Sequence, residues 1–384
     1  MNFDPIFEDP APAEMEGRVA RVQEKLLEQK LDWYLSFQPD NIYYLTNFAN
    51  FVHERPFILL IPARGTPKLV APKLEISHIR SRAVGTLELV EYFEFPAPKG
   101  QGWSDRMKAV LTGAARVGVE SVCPLQIYEA VSAERVRSDV IDNLRLIKTP
   151  YEIGRMAYAG IVASCAMLNL LDSATIGLSL SEVMSSGKAV MLSRLIADNP
   201  SINPLATRAD ALFQPPRYSD DPHNFTDLAM RMEDGGPHVS LVNAVLNGYG
   251  SEIERTFFLG HIPEQAKRPY EVMMKGRDMA FDLAKPGTPM CDVDRAVNVL
   301  FRDEGFADNL LHRTGHGMGV TAHEAPFLAE GDPRVLEPGM SLTIEPGIYL
   351  AGVGGFRHSD TILITTTGNV TLTDGPISLE ELIL

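Results

Sequence analysis

The stretch at 248–258 is Gly248-Tyr249-Gly250-Ser251-Glu252-Ile253-Glu254-Arg255-Thr256-Phe257-Phe258. Its aromatic and β-branched residues, bounded by glycine, predict a strand. Because side chains alternate between the two faces of a strand, Glu252 and Glu254 share one face and Arg255 takes the other. Glu345 is a third acid inside an apolar strand-like stretch. A single glutamate in a strand is as readily explained by solvent exposure or by pairing with an arginine as by a functional role. Three such glutamates together favour a site that holds a cation, organic or metallic.

Three histidines in turn-rich settings supply complementary chemistry. They are His223 in the Pro222-His223-Asn224 run, His316 between two glycines, and His323. Histidine is the side chain whose ordinary pKa lets it both take and give a proton near neutral pH. A lone histidine is more often structural, but flanking glycines let backbone and ligand approach His316 closely.

Outward from these residues, the chain indicates two domains of mixed helix and strand. Thr149-Pro150-Tyr151-Glu152 has the capping threonine, first-turn proline and acid that begin a helix, and the domain boundary is placed just before it. This divides the chain into residues 1–142 and 143–384. Further helices are predicted at 14–31, 180–196, 270–284 and 292–304, and C-terminal strands within 239–260, 341–350 and 356–373. Short apolar runs at 33–35, 42–45, 57–61, 87–92 and 117–119 indicate strands mixed with helices in the first part.

Composition excludes several classes of protein. With 384 residues, 45% hydrophobic content and a formal net charge of -15, the chain is suited to two ordinary cores and poorly suited to a nucleic-acid backbone. The N-terminal sequence lacks the features of a signal peptide, and no run of about 18 apolar residues suggests a membrane span. Three scattered cysteines give no disulfide or zinc pattern. The expectation is a cytoplasmic protein with a small-molecule substrate and neither nucleic-acid nor membrane partners.

An ordered set of segments resembles the creatinase, prolidase and aminopeptidase P family, which has the pita-bread fold. The resemblance implies an α+β protein, with an α/β creatinase-like N-terminal domain at 1–142 and a catalytic pita-bread domain at 143–384. The segments that carry it are Ile147 to Glu152, Gly248-Tyr249 with Arg255-Thr256, Gly315-His316-Gly317, Leu336 to Met340, Ile344 to Gly347, and Gly354 to Asp360.

Family metallopeptidases hold two metal ions with two Asp, one His and two Glu. Position by position, these ligands fall on Leu241, Glu252, His316, Glu345 and Ser359. Leucine cannot ligate a metal, and serine is a poor substitute for a bridging carboxylate. The resemblance therefore makes a dinuclear site improbable. Glu252, His316 and Glu345 could still hold one ion, since three protein ligands suffice for a catalytic zinc.

Within the family, other residues are similar to creatinase-like members that work without metal. Glu254-Arg255-Thr256, His223-Asn224 and Glu345 match the residues that clamp substrate and supply the base there. Arg55 matches an arginine that contacts the substrate carboxylate from the partner subunit, which implies a homodimer with shared active sites. His53 and Phe327 occupy substrate-contacting positions with different residue types, so the substrate is expected to be related to creatine but not creatine itself.

These resemblances predict a metal-independent hydrolase that cleaves a C–N bond in a small cationic or zwitterionic guanidino or amidine compound. His223, Glu254 and Glu345 are the expected catalytic residues, and no cofactor is expected. Substrate contacts are assigned to Arg55, His53, Glu252, His316, His323 and Phe327. The alternatives are a mononuclear or dinuclear Xaa-Pro peptidase, using Mn or Zn in the mononuclear case, a family-related lyase, and a non-catalytic protein-binding relative.

Overall fold

A computed structural model describes residues 4–51, 53–199, 201–225 and 227–384. These residues divide into two compact units. The smaller unit is Glu8–Arg145, and the larger is Leu146–Leu384 with the N-terminal residues up to Phe7. Each unit contains its own sheet, helices and apolar core. The predicted two-domain α+β class is confirmed.

The smaller unit is built on a six-stranded mixed sheet. Its strands are β1 (Trp33–Ser36), β2 (Ile58–Pro62), β3 (Lys68–Pro72), β4 (Glu88–Tyr92), β5 (Arg116–Val119) and β6 (Glu134–Arg137). They lie in the order β4-β3-β2-β1-β5-β6, and β2 runs antiparallel to both of its neighbours. The helices are α1 (Pro12–Glu28), α2 (Pro39–Thr46), α3 (Ile76–Arg82), α4 (Trp103–Val110), α5 (Leu125–Ala130) and α6 (Val140–Arg145).

The apolar run at 42–45 lies in helix α2 and not in a strand. Pro39 is at the start of the helix, where its missing N–H has no cost. Asn47, at φ 59°, ends the helix in the left-handed conformation that asparagine tolerates. Every residue from Asn41 to Thr46 is buried, so the run shows neither helical nor strand alternation.

The larger unit contains an eight-stranded antiparallel sheet and a separate hairpin. Its strands are β7 (Arg208–Gln214), β8 (Gly235–Leu246), β9 (Tyr249–Leu259), β10 (Gly315–Gly317), β11 (Glu324–Leu328), β12 (Ser341–Ile344), β13 (Gly347–Leu350), β14 (Gly354–Arg357), β15 (Ser359–Ile364) and β16 (Asn369–Thr371). The sheet order is β11-β10-β12-β15-β9-β8-β7, with β16 beside β15, and β13 pairs with β14. Strand β9 is flanked on both sides and buried along its whole length.

Among the described residues of this unit, five helices pack: α7 (Pro150–Ser173), α8 (Leu180–Asp198), α9 (Pro216–Ser219), α10 (Glu264–Leu283) and α11 (Met290–Asp303). The predicted capping box of α7 is present, since the Thr149 hydroxyl accepts from the Glu152 N–H and the Glu152 carboxylate accepts from the Thr149 N–H. Helix α7 is long and apolar enough to cross a membrane, but 78% of its most apolar window is buried in the unit. Such burial is typical of the central helix of a folded domain.

His238 on β8 should make this unit sensitive to acid. Its ring is fully buried and stacked on Phe257, and burial lowers its pKa to about 4. The unfolded chain therefore binds a proton between about pH 6.5 and pH 4 that the folded chain does not, so stability falls as pH falls through that window.

When the pH is lowered from about 7 to about 4.5, the free energy of unfolding should fall by about 2–3 kcal/mol more in wild type than in His238→Gln. Urea unfolding at the two pH values measures the difference. His261→Gln, which changes a histidine with 60% side-chain exposure, is the control and should keep the wild-type loss. Equal losses in wild type and His238→Gln would contradict the assignment.

Candidate active site

Strand β9 carries two of the three predicted acids. Glu252, Glu254 and Glu345 are all buried, and one carboxylate oxygen of each lies within 4.8 Å of the others. Arg255 instead bonds Asp360, with 3.0 Å between Nη2 and Oδ1. The predicted alternation along β9 is therefore confirmed, and the three acids converge.

His316 lies on β10, whose backbone closely approaches the backbones of its neighbours β11 and β12. A Cβ atom on Gly315 would lie 2.1 Å from the Thr343 carbonyl oxygen, and one on Gly317 would lie 2.3 Å from the Ala325 carbonyl oxygen. Both distances exclude any side chain. The two glycines are thus required by the close approach of backbone strands, and they place the His316 ring beside the acids.

The acid cluster contains more negative charge than its arginine can neutralise. The Arg357 guanidinium lies against Glu254, with 2.7 Å between Nη2 and Oε1. Burial raises the pKa of Glu345 to about 8, and burial together with the neighbouring carboxylates raises the pKa of Glu252 well above its usual range. Three carboxylates against one guanidinium leave two negative charges when all are ionised, so the site favours protons or a cation.

The His316 ring offers a ligand atom to the same space. Its Nδ1 lies 3.0 Å from the Gly317 carbonyl oxygen, which only an N–H can contact favourably, so Nε2 carries the lone pair. Burial lowers the His316 pKa to about 3, which keeps the ring neutral. Nε2 lies 3.2 Å from a Glu345 oxygen but has no aligned hydrogen-bond partner among the described residues. Two lone pairs that face each other call for a proton or a metal ion between them.

Two sets of side chains have the spacing of metal ligands. Glu252, His316 and His323 form one, and Glu252, Glu254 and Glu345 form the other, each with ligand atoms within 4.8 Å. The His323 ring stacks on His316 with 3.7 Å between centroids. Glu252 belongs to both sets and accepts a hydrogen bond from the Ser359 hydroxyl at 3.2 Å.

A chain of hydrogen bonds behind Glu254 was not predicted from the sequence. Arg357 Nη1 donates to the Tyr349 hydroxyl at 3.0 Å, and that hydroxyl lies 2.7 Å from His312 Nε2. His312 Nδ1 contacts the Arg313 carbonyl at 2.8 Å, so Nε2 accepts from Tyr349. Arg357 and Tyr349 both lie in otherwise apolar strands. A polar side chain in such a strand is the sequence feature that could have identified them.

The other predicted residues of the larger unit lie in different settings. His223 is exposed in the turn after α9, close enough for its charge to affect the pKa of Glu254, His312 and His323. Phe327 on β11 stacks under the Arg313 guanidinium, with 4.7 Å between the guanidinium carbon and the ring centroid. Their roles toward substrate remain predictions.

Arg55 and His53 belong to the smaller unit. Arg55 bonds Glu54, with 2.6 Å between Nη1 and Oε1, and Glu94, with 2.5 Å between Nε and Oε1. Its backbone N–H donates to His53 Nδ1 at 2.9 Å. Contact of Arg55 with a substrate in a partner subunit, and the homodimer itself, remain predictions.

Removal of Arg357 should strongly destabilise the larger unit. Arg357→Met leaves Glu254 buried without its counter-charge, and breaking a buried pair in this way costs about 3–5 kcal/mol. The double variant Arg357→Met/Glu254→Gln removes the stranded charge and should recover much of the loss. Urea unfolding measures both, and a loss below about 1 kcal/mol in the single variant would contradict a stabilising role for the pair.

Comparison with known proteins defines the family. Residues 18–148 match the creatinase/prolidase N-terminal domain and residues 154–366 match metallopeptidase family M24. A Pyrococcus furiosus Xaa-Pro dipeptidase is 27% identical over 94% of this chain and 98% of its own. The structure of a Bacillus anthracis Xaa-Pro dipeptidase, 25% identical, matches 96% of this chain and all of its own with a TM-score of 0.82. A Pyrococcus horikoshii prolidase, 26% identical, matches 94% and 99% with a TM-score of 0.81.

These findings correct the function predicted from the sequence. The relatives are dipeptidases and the family is one of metallopeptidases, which contradicts a metal-independent hydrolase of guanidino or amidine compounds. The findings also favour the alternative of one divalent metal over no cofactor, because the family is one of metallopeptidases and the structure offers ligand sets for an ion. The match to Glu254-Arg255-Thr256 and His223 was too short to assign chemistry. The pita-bread hydrolase scaffold is supported, and the chain belongs to metallopeptidase family M24.

Proposed function

We propose that this protein is a metal-dependent dipeptidase that cleaves Xaa-Pro dipeptides and uses one divalent ion. The observation that carries the proposal is the buried cluster of Glu252, Glu254 and Glu345 beside the lone pair of His316. The Xaa-Pro dipeptidases among the relatives support the substrate class.

The residues present fit a single divalent ion. Glu252, His316 and Glu345 would hold it, and Glu254 is already engaged by Arg357. One dication balances the two negative charges that Arg357 leaves. Two carboxylates with one imidazole suit Mn²⁺ or Zn²⁺. Such an ion supplies Lewis-acid polarisation of a carbonyl oxygen and activation of water.

A second ion has poorer support from the surrounding strands. In the sheet register Glu254 lies between Leu241 on β8 and Ser359 on β15. Leu241 offers no ligand atom, and the Ser359 hydroxyl donates to Glu252. The two flanking strands therefore contribute no carboxylate at this level of the sheet.

The remaining residues would orient the substrate and move protons. His223 is exposed and near the acids, so it can carry a proton to the leaving nitrogen. Arg357 holds the Glu254 carboxylate in one orientation through two contacts. The stacked His323 ring restricts the rotation of His316.

Metal binding and hydrolysis test the proposal together. Protein stripped with a chelator is titrated with Mn²⁺ or Zn²⁺ by calorimetry, and hydrolysis of an Xaa-Pro dipeptide is compared with that of an Xaa-Ala dipeptide. We expect about one ion per chain and activity that the ion restores. Two ions per chain would overturn the single-ion site, and turnover that survives full chelation would overturn metal dependence.

A further inference from the structure

The loop that follows β7 carries His223 without a strand or long helix to hold it. Residues 215–225 form the short helix α9 and a series of turns. Within the loop, Asp221 Oδ1 accepts from the His223 N–H at 3.3 Å, and the Phe225 N–H donates to the His223 carbonyl at 2.9 Å. These local bonds shape the turn, but they do not fix where the turn lies relative to the acid cluster.

Gln214, the last residue of β7, connects this loop to the sheet. Its side-chain NH₂ group lies 2.8 Å from the Asp221 carbonyl oxygen, 3.1 Å from that of Asn224 and 3.4 Å from that of Tyr218. Asp221 and Asn224 bracket His223 in the sequence. A single amide on a rigid strand therefore holds both sides of the histidine.

The start of the same loop has a separate anchor. The Ser219 hydroxyl donates to the Pro237 carbonyl at 3.2 Å and accepts from the Gly355 N–H at 2.9 Å. Any Cβ on Gly355 would lie 2.0 Å from the Ser219 carbonyl oxygen, so α9 is seated directly on β14. With this end fixed, the amide of Gln214 determines the position of the part that carries His223.

Packing in the core does not explain why residue 214 is a glutamine. The residue is fully buried, and its Oε1 has no hydrogen-bond partner among the described residues. A buried amide with an unpaired acceptor is a worse core residue than a methionine of similar length. The contribution of this side chain is therefore its pair of N–H donors, which bond the carbonyls of the loop.

We propose that Gln214 is a positioning residue that sets the orientation of His223 toward the acid cluster. The inference rests on the proposed function, in which His223 transfers a proton. Displacement of a catalytic group by about 1 Å can lower the rate by about 100-fold. Loss of the three carbonyl contacts that hold the His223 loop should therefore have a measurable effect on the rate.

A double-mutant cycle tests this role. Gln214→Met should lower kcat for an Xaa-Pro dipeptide by about 10- to 100-fold while Mn²⁺ affinity stays at the wild-type value. In a His223→Ala background the same change should alter kcat by less than about 2-fold, because the group it positions is gone. An equal loss in both backgrounds would overturn the proposal.

Two further variants separate positioning from general destabilisation. Gln214→Leu removes both donors without leaving a buried charge or an unpaired polar group. It should lower kcat to the same extent as Gln214→Met, and it keeps the test available if Gln214→Met folds poorly. Asn369→Leu removes another amide that donates to two backbone carbonyls, at the end of α10, and should leave kcat unchanged. A loss of kcat in Asn369→Leu equal to that in Gln214→Leu would count against positioning.

An NMR measurement keeps the result independent of the substrate assignment. The His223 ring signals should shift and broaden in Gln214→Leu and stay unchanged in Asn369→Leu. If no dipeptide is hydrolysed by wild type, the proposed function fails while this measurement still decides the positioning role. Identical His223 signals in wild type and Gln214→Leu would overturn it.

Discussion

Glu252→Gln is expected to abolish dipeptide hydrolysis and to weaken Mn²⁺ binding by more than about 100-fold. Loss of a residue that only supports a metal ligand weakens metal binding by up to about 100-fold, so loss of a ligand itself should have a larger effect. Glu252 is the one residue common to both sets of potential ligands, and its carboxylate is buried. The amide keeps the shape but loses the charge that attracts the ion. Calorimetric titration with Mn²⁺ and a dipeptide assay measure the two effects.

Loss of the fold would not explain that result, because the burial and the neighbouring carboxylates that raise the Glu252 pKa also oppose its charge in the metal-free protein. Glu252→Gln without metal should be at least as stable as metal-free wild type. Glu264→Gln on α10, where the side chain is 87% exposed, is the matched control and should bind Mn²⁺ normally. Wild-type affinity in Glu252→Gln would place the ion elsewhere.

His223→Ala is expected to lower kcat by about 10²–10⁴-fold, the range for loss of a proton-transfer group. The His223 ring is exposed, its charge affects the pKa of Glu254, and it belongs to neither set of potential metal ligands. Removal of the ring should therefore leave Mn²⁺ affinity, substrate affinity and stability close to wild type. Steady-state kinetics and calorimetry on the same preparation separate these quantities.

His261→Ala serves as the control, because His261 is an exposed histidine in the loop after β9, and this variant should retain wild-type kcat. A wild-type rate in His223→Ala would contradict proton transfer by His223 and would move that role to His323, whose ring stacks on His316.

Much of the fold followed from local sequence. The capping box at Thr149 and the alternation of Glu252 and Glu254 depend on neighbours in the chain, and both were predictable. Helix α2 was not, because its residues are buried on all sides and show no periodicity. Helix α10 begins at Glu264, before the predicted start at 270, and it includes Pro269, a residue type that usually interrupts a helix interior.

The site was predicted in its acids and histidines but not in its partners. The pairing of Arg357 with Glu254 joins strands that are distant in the sequence, and so does the contact of Tyr349 with His312. Such contacts depend on sheet register, which residue spacing does not reveal. The chemistry was also mistaken, because a three-residue match around Glu254 does not distinguish metal-free from metal-dependent relatives.

The position of β9 inside the sheet has a consequence for ion selectivity. A strand paired on both sides and buried throughout exchanges its amide hydrogens only through extensive opening, so its backbone is among the stiffest parts of the unit. Glu252 and Glu254 thus project from a preorganised frame and cannot regroup around ions of different radius. Discrimination between small and large divalent ions would then come from the fixed spacing of these carboxylates, and Ca²⁺, which prefers six to eight flexible oxygen ligands, would be rejected.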